Sequence, residues 1–306
     1  MNNIENIKDF AAVVMESIKD YLPADMQDCR IEVRETVKPN ITYTSLLIHR
    51  PDCNITPCFH LDGLYREYLN GAKMPDILAK LAIERMKYDR KENFTADQFY
   101  RFEDCKDKIV PRLINASKNQ QYLESHAHVL IHDLACVFYV LIEGFAEWGG
   151  GAIGVTNEIM EKWNVTASEL HETAVNNLPS LQPPVFTDVV TVLAKTSGIS
   201  EEEQKMMRMS LCENMIYVLT NTNNLYGASA VFDKKIMKEL VEKFGDFYIL
   251  PSSIHEVIIA PVKPDMDVDY LKEMVTEINA THLEPDEVLS DSIYTYTLEG
   301  GLKKVS

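Results

Sequence analysis

The run Leu134-Ala-Cys-Val-Phe-Tyr-Val-Leu-Ile142 limits what this chain can fold into more than any other segment. Side chains alternate between the two faces of a strand, so nine consecutive apolar or aromatic residues cannot leave one face wet. Such a strand belongs in the middle of a sheet with both faces covered. The run is also far shorter than the roughly 20 residues a membrane-crossing helix needs. Gly149-Gly-Gly151 then lets the chain reverse, and Ala152-Ile-Gly-Val-Thr156 is expected to return beside the run.

The surrounding patterns place other elements around that strand. Ile4, Ile7, Phe10, Ala11, Val14, Ile18 and Leu22 recur at helical spacing and predict an opening helix over 3–21. Residues 30–37 and 41–48 alternate in the strand period on either side of Pro39-Asn40, which predicts a hairpin. A short strand at 55–60 and helices over 62–71 and 75–90 follow, with Thr95-Ala-Asp-Gln98 as a capping box for one more. Beyond the central strand, helices are expected at 157–163 and 167–178, the latter opened by the capping box Thr166-Ala-Ser-Glu169. The proline-rich stretch 176–184 reads as a linker. Ser200-Glu-Glu-Glu203 opens a methionine-rich helix. Strands follow at 215–220, 247–250, 254–261 and 292–298, with helices at 228–244 and 268–280 between them.

The fold class is therefore α+β. A smaller N-terminal helix, hairpin and helix unit is expected over 1–115, and a larger unit with one mixed β-sheet and helices packed on it over 116–306, the two being separate or one continuous domain.

Composition narrows the function classes. The 306 residues are 46% hydrophobic and 25% charged, as in an ordinary globular protein. A net charge of −17 repels nucleic acid and anionic membrane, so direct binding to either is not expected. It leaves open an acidic surface that imitates nucleic acid or recruits a basic protein. The opening Met1–Phe10 segment lacks a basic region and an apolar core, so no signal peptide is expected. Six scattered cysteines without a small-scaffold framework then point to reduced thiols in a cytoplasm.

Three groups of residues could carry chemistry. His49, Cys53, Cys58 and His60 are zinc-ligand types, but their spacing does not form two paired knuckles. His126, His128 and His132 share a face if 125–133 is a strand; if it is a helix, His128 and His132 lie one turn apart beside Asp133. Neither arrangement completes a metal motif, and no metal or cofactor is expected. Ser252, Ser253, His255 and Glu256 invite a serine–histidine–acid reading. On an extended chain Ser253 and His255 share a face about 7 Å apart while Glu256 points away, so another acid, such as Asp133, would have to orient the imidazole. No nucleophile elbow accompanies them, since Gly227-Ala-Ser229 continues as Ala230-Val231. Capping of a turn by the serines is the plainer reading.

The loop Asn221-Thr-Asn-Asn-Leu-Tyr-Gly-Ala-Ser229 joins a strand to a helix, where backbone amides can hold an anion. Together these loops predict a ligand- or partner-binding surface at Asn221, Asn224, Tyr226, Gly227, Ser252, Ser253, His255 and Glu256.

Over roughly residues 30–300 the chain resembles a bacterial family known only as a domain of unknown function. The pieces that carry the resemblance are Leu113-Ile-Asn-Ala-Ser-Lys-Asn119, Asp133-Leu-Ala135, Val155-Thr-Asn-Glu158 with Trp163, and Glu169-Leu-His-Glu-Thr-Ala-Val-Asn176. Tyr217-Val-Leu-Thr-Asn221 with Tyr226-Gly-Ala228, Ile249-Leu-Pro-Ser-Ser-Ile-His-Glu256, and Glu287-Val-Leu-Ser-Asp291 with Tyr294 and Tyr296 complete it. The segment 156–177 also resembles a second bacterial family without a known role. The resemblance implies an intracellular bacterial protein and transfers no catalytic residue. The expectation is a cytoplasmic protein that binds an as yet unknown protein partner or small ligand rather than performing chemistry. The alternatives are a hydrolase built on Ser253 and His255 or on a His126/His128 metal, and an acidic inhibitor of a nucleic-acid-binding protein.

Overall fold

A computed structural model describes residues 4–51, 56–87, 99, 101–142, 151–211 and 214–306. Cys53, Cys212, the Thr95–Gln98 capping box and Gly149-Gly150 of the expected reversal lie outside the described residues. The chain is α+β and divides into two compact units, Met1–Ala96 and Asp97–Ser306.

In the first unit a helix at Ile7–Ser17 is capped by the Asn6 side chain, which accepts from the Lys8 and Asp9 amides. Strands β1 (Arg30–Lys38) and β2 (Ile41–His49) form the expected hairpin in register from Arg30↔His49 to Lys38↔Ile41. Asn40 takes the left-handed conformation at its turn (φ 65°), one that asparagine tolerates better than most residues. Strand β3 (Cys58–His60) adds to the free edge of β2. Leu46, Ile48 and Phe59 then pack against Phe10 and Val14 of the first helix, Ile18 just after it, and Ile77 and Leu81 of the helix Met74–Lys87.

The second unit contains two sheets. In the first, β4 (Ile109–Asn115), β5 (His128–Ile131), β6 (Leu134–Ile142) and β7 (Gly151–Gly154) gather around the apolar run. β4 pairs along one edge of β6, while β5 and β7 share its other edge. β6 is thus central, and its residues from Leu134 to Tyr139 are all buried. The second sheet has the order β13-β12-β10-β11-β9-β8, where β8 is Pro184–Asp188, β9 Tyr217–Asn221, β10 Phe247–Leu250, β11 Val257–Pro261, β12 Tyr294–Thr297 and β13 Gly301–Lys304.

Every described pairing is antiparallel, so two antiparallel sheets stand where one mixed sheet was expected. The cause is the crossover helix Lys234–Phe244. It joins β9 to β10, which run the same way, but β11 turns back from β10 and fills the place between them.

The stretch 176–184 also departs from expectation. It is no linker, because the helix Ala167–Leu181 runs through Pro179. Leu178 is buried, and Asn177 Nδ2 donates to the carbonyls of Lys106 (2.7 Å) and Ile109 (2.9 Å). These tertiary contacts outweigh the local cost of proline near the helix end.

Candidate functional site

Two loops at neighbouring strand ends in the second unit lie against each other. β9 ends at Asn221, a buried residue whose side chain closes the following loop. Its Nδ2 donates to Leu225 O (2.9 Å), and its Oδ1 accepts from the Asn223 amide (3.0 Å). Residues 222–225 are exposed, and Asn224 and Tyr226 both adopt left-handed backbone (φ 51° and 55°). Gly227 follows, where a Cβ would sit 2.6 Å from His255 O and 2.7 Å from Asn221 N. Only glycine allows the loop to approach the 251–256 turn this closely. Thr220 Oγ1 donates to His255 O (2.8 Å) and the Ala228 amide to Ile254 O (3.3 Å), which locks the two loops together.

His255 is held at both ring nitrogens. Its Nδ1 accepts from the Tyr226 amide (3.1 Å), which assigns the proton of the neutral ring to Nε2. Nε2 lies 3.5 Å from Glu287 Oε1. Ser253 is buried, and its Oγ accepts from the His255 amide (3.0 Å), a turn-capping bond. Neither ring nitrogen of His255 hydrogen-bonds to Ser253, whose Oγ accepts the His255 amide instead. The neighbouring acid is Glu287 rather than Asp133. Burial pushes the Glu256 carboxyl up; His255 opposes this and Glu287 adds to it. Of the remaining sequence candidates, Asn224 sits at the exposed loop tip, and Ser252 accepts the Leu289 amide at its carbonyl (2.8 Å).

Arg112 joins this site from β4. Its guanidinium carbon lies 3.8 Å from the Tyr139 ring centroid and 3.7 Å from that of Tyr226. Two rings that close must take opposite faces, since on one side they would overlap. The pair fixes the guanidinium plane. Its Nε is buried with no acceptor among the described residues. An orphaned donor of this kind costs about 1–3 kcal/mol. No described carboxylate forms an ion pair with Arg112, in a chain with 47 acidic residues against 30 basic ones. The phenols of Tyr139 and Tyr122 share a 2.6 Å hydrogen bond beneath it, and Tyr122 stacks on His126 at 3.8 Å. Burial pushes the Tyr139 phenol up, opposed by the Arg112 charge. The clue in the sequence is one arginine inside the otherwise apolar Ile109-Val-Pro-Arg-Leu-Ile114.

Asp133 belongs to a separate knot. Its carboxylate accepts from Ser290 Oγ (2.7 Å), Ser292 Oγ (2.9 Å) and Tyr294 OH, and Lys304 Nζ lies 3.3 Å away. Asn115 Nδ2 donates to Leu289 O (3.0 Å), and Ser253 bridges Val288. Segment 287–294 therefore ties together the 251–256 turn, the end of β4 and the 132–133 turn. The sequence pieces containing Asn115, Asp133 and Ser290 serve this seam.

The histidine groups are likewise engaged. His126 Nδ1 lies 2.9 Å from Tyr122 O, and burial pushes its pKa down. His128 Nδ1 lies 2.8 Å from His126 O, while His132 turns away with a left-handed backbone (φ 58°) toward Leu302 O. In the first unit His49 contacts Glu32 and Thr56, and His60 contacts Ser45. No group of three metal-ligand side chains occurs among the described residues. Nor is any helix among them long and apolar enough to cross a membrane.

Residues 7–297 match the model of a family described as a family of unknown function, DUF5688. The chain belongs to this family. Neither the curated proteins nor the solved structures give a match. All the residues of the Arg112–Tyr226–His255 cluster fall within the span matched to DUF5688.

Proposed function

We propose that this member of DUF5688 is a non-catalytic binding protein that takes a small ligand at Arg112, Tyr226 and His255. The observation that carries the proposal is the placement of Tyr226. Its ring covers the face of an arginine that has no carboxylate partner among the described residues, its amide is held by His255, and the loop before it is exposed. Such a set is a few polar groups converging on a largely apolar frame, as small-ligand sites are. Gly227, Asn221 and Ser253 act here as builders of the loops, while Asn224, Ser252 and Glu256 lie around the rim.

Catalysis by Ser253 is the less supported reading, because both nitrogens of His255 already face other groups. A bacterial cytosol as the working compartment is part of the proposal. It is supported by free thiols at Cys58 and Cys136.

The test is mass spectrometry of small molecules retained by the protein when purified from its native cells. One compound should accompany the wild type and be lost from Tyr226→Ala and His255→Ala while both variants keep the wild-type circular dichroism. Identical small-molecule profiles for the three proteins would overturn the proposal.

A further inference from the structure

We infer that the ligand carries a carboxylate, docked on the guanidinium of Arg112 in the slot between Tyr139 and Tyr226. This rests on the binding reading above and adds the chemical class. An arginine confined between two aromatic rings keeps its charge and its in-plane donors, and loses only its two faces. Its recognition edge therefore lies in the plane of the slot. The rings stand 3.8 Å and 3.7 Å from the guanidinium carbon, so the guanidinium itself fills the gap as one atomic layer and presents only its edge. A carboxylate is planar and can accept two parallel N–H bonds in that same layer. A phosphate also accepts two such bonds, but its remaining oxygens project out of the plane, where the apolar ring edges offer them no donor.

Charge points the same way. The buried Nε–H of Arg112 has no acceptor among the described residues, and no described carboxylate ion-pairs with the guanidinium. In a chain of net charge −17, internal acids are plentiful, yet the nearby Glu287 is turned to His255 instead. The exposed loop 222–225 leads directly into Tyr226, the residue whose ring covers the guanidinium. Tyr226 is held in place there by its amide bond to His255 Nδ1 and by its ring contact with the guanidinium.

The experiment follows the Arg112 Nε–H signal in nitrogen–proton spectra of the full chain, assigned by its loss in Arg112→Lys. Acetate and succinate should shift it saturably, inorganic phosphate at least ten-fold more weakly, and acetamide and chloride not at all. Arg112→Lys, which keeps the charge but not the planar fork, should weaken succinate binding at least ten-fold by calorimetry. A signal unmoved by both carboxylates overturns the inference, as does phosphate binding as well as succinate. If that happens while the compound retained from native cells is still lost in Tyr226→Ala, the carboxylate assignment fails and the binding reading stands.

Discussion

Asp133 shows how a single side chain can hold two sheets of one unit together. Burial pushes its carboxyl up, but donors from Tyr294, Ser290 and Ser292 outweigh burial and bring its pKa to about 2. A carboxyl with a folded pKa below its ordinary value of 3.8 stabilises the fold above that pH. That contribution is lost as pH falls from 3.8 through about 2. Asp133→Asn should therefore destabilise the unit by about 2–3 kcal/mol at pH 7 in urea titration, with the difference shrinking toward pH 2. A pH-independent difference would contradict the role given to its charge.

Cys58 in the first unit differs from Cys105 and Cys136, whose thiols burial pushes up. Burial raises its pKa, yet hydrogen bonds from His60, Ser45 and Thr36 bring it down to about 7. The fully buried Cys136 is pushed well above the ordinary thiol value by burial alone. At pH 7.5 iodoacetamide should label Cys58 well before Cys136, and His60→Ala should slow the labelling, both read by peptide mass mapping.

At the scale of elements, the segments that read cleanly from sequence are those whose signal is local. The 30–49 hairpin alternates and carries its own turn, and the capping boxes at Thr166 and Ser200 form with both reciprocal bonds. β6 is legible because nine apolar residues leave few alternatives. β4 is not, because Pro111 and Arg112 interrupt its apolar pattern; an edge strand tolerates such a proline. With β4 goes Arg112, so half of the candidate site is hidden from a reading of the loops alone. The helix through Pro179 is hidden for a related reason, since its support comes from Leu178 in the core and from Asn177 bonded to 106 and 109. Asn177→Ala removes two donors to those carbonyls and should cost about 1–2 kcal/mol in chemical denaturation. No measurable loss would mean that the helix end is held by packing alone.

For the whole molecule, the division into Met1–Ala96 and Asp97–Ser306 makes a prediction about fragments. β4 pairs with β6 from Ile109 to Asn115 and supplies Arg112. A fragment over 97–306 should therefore fold cooperatively, and one over 116–306 should not, as judged by circular dichroism and thermal melting. Equal folding of the two would place the boundary after β4. The acidic balance of the chain gives the Arg112 site its significance at this scale. The chain carries 47 acidic residues against 30 basic ones, yet none of the described carboxylates pairs with the guanidinium between Tyr139 and Tyr226. The most direct measurement of that claim is a crystal structure of the protein purified from its native cells. It should show a non-protein carboxylate against Arg112, with Tyr226 over or displaced from the guanidinium face. An Arg112 whose donors meet only protein groups or water in that crystal would contradict the account.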